Sequence, residues 1–347
     1  MSDDILIRKS GRVGHVTLNR PDALNALTDE MSIAIENTLD AWRDDDAVKL
    51  VILDAEGSRA FCAGGDIAKL YTKGSAGDYE FGRNFWRQEY RLNLKIATYA
   101  KPVVAFLQGF TMGGGVGLAS HASHRIVGES TKIAMPECGI GLVPDVGGTF
   151  LLGRAPGETG VYLGLTGTRM AAEDAIYAKF ADHYVPEDTW AELKSTLLRN
   201  GDVAAIKAAG QKATGGTLAA RQSDIDHLFS ADTVPDIHQS LANEDTEFAK
   251  ETAKKLTKGS PLALACTLKA IRAVRGRDLE EALTREFRFS YRSQGEGDFL
   301  EGIRAQIIDR DFTPKWRHHN LDVPEQEITD MLADLGPLDW TPTGDTQ

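Results

Sequence analysis

Pro102-Val-Val-Ala-Phe-Leu107, then Gln108, then Gly109-Phe-Thr-Met-Gly-Gly-Gly-Val-Gly117 is the stretch on which the fold turns. A short apolar run with adjacent β-branched residues reads as a strand buried on both faces. The glycines after it read as a strand-to-helix junction, where the chain turns tightly and backbone N–H groups can converge on an anion. Tight turns and close helix packing alone would ask for the same glycines. Working outward, Val48 to Leu53 is a second apolar run, ending at Asp54, and Arg125 to Val127 is a weaker third. Upstream, Val13 to Leu18 alternates around His15 and Thr17, as a strand does. Between these runs Thr28 offers an N-cap with Asp29 and Glu30 in the first turn, and Met31, Ile35, Leu39 and Trp42 follow at helical spacing. Strands separated by helices imply parallel pairing through right-handed crossovers, hence an α/β core.

From about Met170 the strand signals nearly vanish. Ala209 to Gln222, with Gly215 and Gly216 adjacent, reads as a loop or exposed connection. Pro261 opens a helix that runs through Leu264, Leu268 and Ile271, and Leu279 to Phe289 is another. The expected division is an α/β core over residues 1–195 and a helical C-terminal region over 196–347. The last twenty or so residues, with Pro324, Pro337 and Pro342, are expected to trail along the surface.

Composition narrows the function. In 347 residues, 39 Lys and Arg face 51 Asp and Glu, a formal net charge of −12. So acidic a chain is a poor match to a nucleic-acid backbone, yet it can hold a small anion with a few cations and backbone amides. Three cysteines, Cys62, Cys138 and Cys266, form no CxxC pair and are odd in number. That excludes a disulfide framework and a four-cysteine zinc site, and it suits a reducing compartment. No run of 18 apolar residues exists, so no membrane span is expected. The acidic start, Met1-Ser-Asp-Asp, is unlike a signal peptide, and a cytoplasmic enzyme is the expectation. His121 with His124, and His318 with His319, lack a carboxylate at metal spacing, so no metal is expected. There is no GxxxxGK[ST], no GxGxxG after the first strand and no GxSxG, which removes the P-loop, the dinucleotide fingerprint and the serine elbow.

Two further glycine-rich segments follow strand signals: Phe61-Cys-Ala-Gly-Gly-Asp66 and Met135-Pro-Glu-Cys-Gly-Ile-Gly-Leu-Val-Pro-Asp-Val-Gly-Gly148. Two such loops in one core make a paired-amide oxyanion site the natural functional reading. Glu137 and Asp145 share the second segment with Met135, Ile140, Leu142 and Val143. An acid in such surroundings either caps a turn or has its pKa tuned for catalysis. Glu89 stands in the middle of the helical stripe Phe81, Phe85, Leu92 and Ile96. It either sits at the stripe edge and snorkels, or it faces a cavity and binds a polar group.

These three segments, with Val16-Thr-Leu-Asn-Arg-Pro-Asp-Ala-Leu-Asn-Ala-Leu-Thr28, Asp298-Phe-Leu-Glu-Gly-Ile-Arg304 and Pro314-Lys-Trp316, resemble the crotonase (enoyl-CoA hydratase/isomerase) superfamily, and within it the 3-hydroxyisobutyryl-CoA hydrolase branch. The similarity runs from about residue 5 to 320. It implies a crotonase-like ββα spiral core with a helical C-terminal region, and an acyl-CoA thioester whose carbonyl oxygen lies between the amides of Gly65 and Gly114. Preorganised donors of this kind are worth roughly 3–4 kcal/mol each. Hydratases of the superfamily use two glutamates. Here the first position is Gly117, with no carboxylate, and the second is Glu137. Asp145 stands after Pro144 where hydratases usually carry glycine, and the hydrolase branch has this Glu137 and Asp145 pair. The Glu89 position matches a substrate-contacting glutamate of that branch.

The resemblance therefore implies thioester hydrolysis, as in valine degradation, with Glu137 as nucleophile or base and Asp145 assisting the leaving thiolate or orienting water. Glu89 would accept a hydrogen bond from the 3-hydroxyl. Lys69, one turn into the helix after Asp66, is a candidate for a coenzyme A phosphate, or else a solvated helix lysine. No cofactor is expected beyond the coenzyme A of the substrate, and family members often self-associate through the C-terminal helices. The alternatives are a one-acid enoyl-CoA hydratase or isomerase, against which Gly117 stands, and a non-catalytic coenzyme A- or RNA-binding relative, against which the retained acids and the net charge stand.

Overall fold

A computed structural model describes residues 3–343. Contacts group the chain into two compact units: Met1–Gly65 with Gln88–Ala134 and Arg169–Ala219, and Asp66–Arg87 with Met135–Thr168 and Ala220–Gln347. The units interleave along the chain instead of dividing at residue 195. The reason is local: the segments following the strands leave unit 1 to pack with the late helices of unit 2.

Unit 1 holds the described strands: β1 (Ile5–Ser10), β2 (Val13–Leu18), β3 (Leu50–Ala55), β4 (Ala60–Cys62), β5 (Val103–Leu107), β6 (Phe110–Met112), β7 (His124–Val127), β8 (Lys132–Ala134) and β9 (His183–Tyr184). They form a six-stranded sheet in the order β1-β2-β3-β5-β7-β9 and a three-stranded sheet in the order β4-β6-β8. Only β1 and β2 pair antiparallel; the other pairs are parallel, as strands joined by helical crossovers must be. Val13, Leu50, Ile52, Val104, Phe106 and Ile126 of the larger sheet pack against Val185, Trp190, Leu193, Leu197 and Ile206. Each large apolar side chain so buried contributes about 1.5–3 kcal/mol. The helix Asp29–Arg43 starts as its sequence dictates, with Thr28 Oγ1 accepting from Met31 N at 3.2 Å.

β2 departs from its alternating pattern, because all six of its residues are buried. His15 and Thr17 find an internal partner instead of water. His15 Nε2 lies 2.9 Å from Asp54 Oδ1, Thr17 Oγ1 donates to the same atom at 2.6 Å, and Lys194 Nζ reaches Oδ2 at 2.7 Å. Burial alone would raise the Asp54 carboxyl, but the His15 hydrogen bond and the Lys194 charge overcome it and hold it well below the usual range.

Unit 2 is helical. Pro261–Ala273 begins at Ser260, whose Oγ accepts from Ala263 N, and Leu279–Glu296 begins at Asp278, which accepts from Glu281 N. The C-terminal segment does not trail along the surface. Glu325–Leu332 is a helix that buries Ile328 and Met331. Trp340 is 3% exposed, its Nε1 donating to the Arg87 carbonyl at 3.1 Å, and Arg288 pairs with Asp339 at 2.7 Å. The prolines conceal this because they are compatible with short packed elements: Pro324 caps the helix Glu325–Leu332, and Pro337 lies within the 3-10 turn Gly336–Leu338. Among the described residues no helix is long and apolar enough to cross a membrane.

Candidate active site

In unit 1 the loop after β4 is tied to the chain near residue 25: Ala63 N donates to the Leu24 carbonyl at 3.0 Å, and Leu27 N to the Gly64 carbonyl at 2.9 Å. Gly64, at φ +117°, turns the chain so that Gly65 follows close to the start of the helix Gly114–Ala119. A Cβ built on Gly114 would stand 3.5 Å from Gly65 N and would overlap Glu89 Oε1. The structure thus brings three predicted residues together: Gly65, Gly114 and Glu89. Among the described residues no backbone carbonyl accepts from the Gly65 or Gly114 N–H. Two neighbouring amides beside a carboxylate are the kind of groups that hold a developing oxyanion and, next to it, a hydroxyl donor.

Glu89 belongs to the helix Tyr79–Ala97 and is 3% exposed. It does not snorkel from the stripe edge. Cys62, on β4, is fully buried, and its thiol is pushed up to about 12 by burial, with the charge of Glu89 adding to the rise. Gly117 is buried within its short helix and brings no carboxylate there.

In unit 2, Glu137 opens a single 3-10 turn, Glu137–Ile140, and its carbonyl accepts from Leu142 N at 3.1 Å. The next residue anchors the turn: the Cys138 carbonyl accepts from Ser260 N at 2.9 Å, and Cys138 Sγ lies 3.2 Å from Thr267 Oγ1. Burial pushes the Cys138 thiol up to about 12, and the Glu137 charge beside it adds to this. Thiols raised in this way are poorly suited to act as thiolates at neutral pH. The Asp298-Phe-Leu-Glu-Gly-Ile-Arg304 segment serves this turn structurally. Asp298 accepts from Ser260 Oγ at 2.6 Å and from Arg317 N at 2.9 Å, and Gly302 meets the Ile140 carbonyl so closely that a Cβ would overlap it.

Glu137 and Asp145 are each 4% exposed. Asp145 precedes a sharp turn, with Val146 at φ +55° and Gly147 at +78°, and its carbonyl accepts from Gly148 N at 2.6 Å. Beneath this loop lies a carboxylate that reading the sequence missed. Glu286, buried on Leu279–Glu296, accepts from Gly147 N at 2.7 Å and Thr149 N at 2.8 Å. The signal was there: Leu279, Leu283, Glu286, Ser290 and Ser293 repeat at helical spacing, with an acid in a stripe of apolar and small residues, as at Glu89. Lys69 is exposed, its Nζ 5.0 Å above the Phe81 ring, a placement that suits either reading of it. Among the described residues no cluster of His, Cys, Asp or Glu could hold a metal ion.

Comparison with known proteins supplies the context. A family model described as enoyl-CoA hydratase/isomerase matches residues 13–332. The mitochondrial 3-hydroxyisobutyryl-CoA hydrolase of Danio rerio is 39% identical over 97% of this chain and 91% of its own length. The human protein of that name is 36% identical over 97% and 90%. A solved structure described as an enoyl-CoA hydratase from Rhodobacter sphaeroides 2.4.1 superposes with TM-score 0.95 at 53% identity, covering 98% of this chain and all of that one. A second, described as a carnitinyl-CoA dehydratase from Mycobacterium thermoresistibile, gives 0.94 at 42% identity over 99% of this chain and 100% of that one.

Proposed function

The chain belongs to the enoyl-CoA hydratase/isomerase family, and on that premise we propose that it hydrolyses the thioester of 3-hydroxyisobutyryl-CoA to 3-hydroxyisobutyrate and coenzyme A, a step of valine degradation. The observation that carries this is the carboxylate of Glu89 set against Gly114 and the Gly65 amide. A carboxylate there repels a developing oxyanion unless a donor stands between them. The 3-hydroxyl of such a substrate is that donor, two carbons from the thioester carbonyl, and an unhydroxylated acyl chain offers none.

In this reading the Gly65 and Gly114 N–H groups donate to the carbonyl oxygen. A Glu137 oxygen bonds to the carbonyl carbon, the carbon–sulfur bond breaks, and the thiolate leaves with a proton delivered by way of Asp145. Water then adds to the mixed anhydride and returns Glu137 as carboxylate. Direct attack by a water deprotonated by Glu137 gives the same products, with Asp145 orienting the water. Both routes need Glu137 ionised. Neither calls on a cofactor beyond the coenzyme A of the substrate. Lys69 is proposed to meet a phosphate of that group. Three free, buried cysteines support a reducing compartment, and we propose the cytoplasm; the Danio rerio and human relatives are described as mitochondrial. Self-association through the C-terminal helices is proposed from the family alone and is read by light scattering.

The description of the Rhodobacter structure favours a second reading, hydration of an enoyl-CoA. Gly117 weighs against it, because activating water for addition across a double bond takes the second acid that this position lacks. The test follows free thiol and enoyl absorbance with 3-hydroxyisobutyryl-, 3-hydroxypropionyl- and crotonyl-CoA. Thiol release that is fastest for the hydroxylated thioesters is expected, and it should collapse in Glu137→Gln. Loss of enoyl absorbance without thiol release would establish the hydratase reading instead.

A further inference from the structure

The loop that carries Asp145 adopts a conformation its own residues disfavour. Val146, a β-branched residue, sits at φ +55°, where Cβ crowds the backbone, and Gly147 follows at +78°. Such a conformation persists only where the surroundings over-determine it. What over-determines it here is Glu286. Its Oε2 accepts from Gly147 N at 2.7 Å, and its Oε1 accepts from Thr149 N at 2.8 Å and also from Thr149 Oγ1. All three donors are neutral, and all lie two to four residues after Asp145. The carboxyl is fully buried. Burial pushes it up to about 8 against the pull of these donors, and the charge of Asp145 pushes the same way. A helix that needed only packing at this position would carry leucine, as its neighbour Leu283 does. A buried carboxyl group costs stability at such a site in either protonation state, and its oxygens all serve one loop.

We propose that Glu286 is a positioning residue for the reaction: by gripping the Gly147 and Thr149 amides it holds the left-handed turn at Val146 and so fixes the direction in which Asp145 presents its carboxyl. The proposal rests on the reading of Asp145 as a participant in thioester cleavage. The side-chain oxygens of Glu286 are engaged by Gly147 and Thr149. Glu286 acts through the loop, and its loss should therefore appear in turnover and not in binding.

The experiment is thiol release from 3-hydroxyisobutyryl-CoA by wild type, Glu286→Gln, Asp145→Asn and the double variant, with amide hydrogen exchange over residues 145–149. Glutamine keeps the shape but turns one acceptor into a donor facing an N–H. The expected result is a kcat lower by about 10- to 100-fold, a KM within about threefold of wild type, and faster exchange at Gly147 and Thr149. The double variant should lose no more than Asp145→Asn alone, because both changes remove the same positioned group. Wild-type kcat in Glu286→Gln, or losses that multiply in the double variant, overturn the proposal while leaving Asp145 in its role. Wild-type turnover in Asp145→Asn overturns the reading of Asp145, and the proposal with it. Should Glu286→Gln fail to fold, Thr149→Val removes the hydroxyl donor and Thr149→Ser keeps it. A drop of several-fold with valine that serine restores supports the grip, and equal turnover in all three overturns it.

Discussion

The cradle of Gly65 and Gly114 in unit 1 and the loop of Glu137 and Asp145 in unit 2 solve one problem, placing polar groups where water is scarce, by opposite means. The cradle uses main chain. Its donors are amides, and their position follows from strand ends, two positive-φ glycines, Gly64 and Gly113, and the ties of Ala63 and Leu27. The loop uses side chains, and each needs its own support: Cys138 and Ser260 beneath Glu137, Glu286 beneath Asp145. Amides oriented by a sheet need no charge and no rotamer. Buried carboxylates need partners, and those partners come from distant stretches of chain.

The difference can be broken at several points. Glu137→Gln on the loop side should lower kcat by about 10²- to 10⁴-fold with little change in melting temperature, read by thiol release and calorimetry. On the cradle side Gly114→Ala should cost about 10²-fold, because its Cβ displaces either the amide or Glu89, and the variant should stay folded. A smaller effect is expected of Glu89→Gln. Activity on 3-hydroxyisobutyryl-CoA should fall by about 10-fold while that on isobutyryl-CoA rises as the repulsion is removed, so the ratio of kcat/KM values narrows; an unchanged ratio removes Glu89 from hydroxyl recognition.

The smallest effect is on stability. The Glu286 carboxyl, at about 8 when folded, lies above its unfolded value of 4.5. Its contribution is fully present below that unfolded value and is lost as pH rises toward 8, since the unfolded chain ionises first. The melting temperature of wild type should therefore fall relative to Glu286→Gln by a few degrees between pH 4.5 and 8. Parallel curves would mean that Glu286 is ionised throughout.

The two sides also differed in how readily they could be read. Gly65 and Gly114 stand in strand-glycine-helix segments that local signals single out, and the family resemblance picks these two glycines from them. Glu89 and Glu137 were visible as acids among apolar neighbours. Glu286 carries the same mark but was overlooked, since its partners lie more than 130 residues away in sequence and no spacing links them. The alternation of β2 marks a strand but not its burial on both faces, where His15 and Thr17 meet a buried carboxylate. The C-terminal segment was misread for a related reason: Trp340 and Met331 are buried by helices that local patterns do not connect to them.

The two units are woven from six alternating segments, the last of them running to the C-terminus. On the ribosome, unit 1 lacks its final segment until residue 219 has emerged, and unit 2 lacks its own until the residues from Ala220 onward follow. Neither can be inherited, swapped or cut out as a piece. A nascent chain must keep the apolar strands of its first half from straying while it waits, and long-range closure of this kind is slow. A protease that nicks a surface loop should accordingly release no stable fragment.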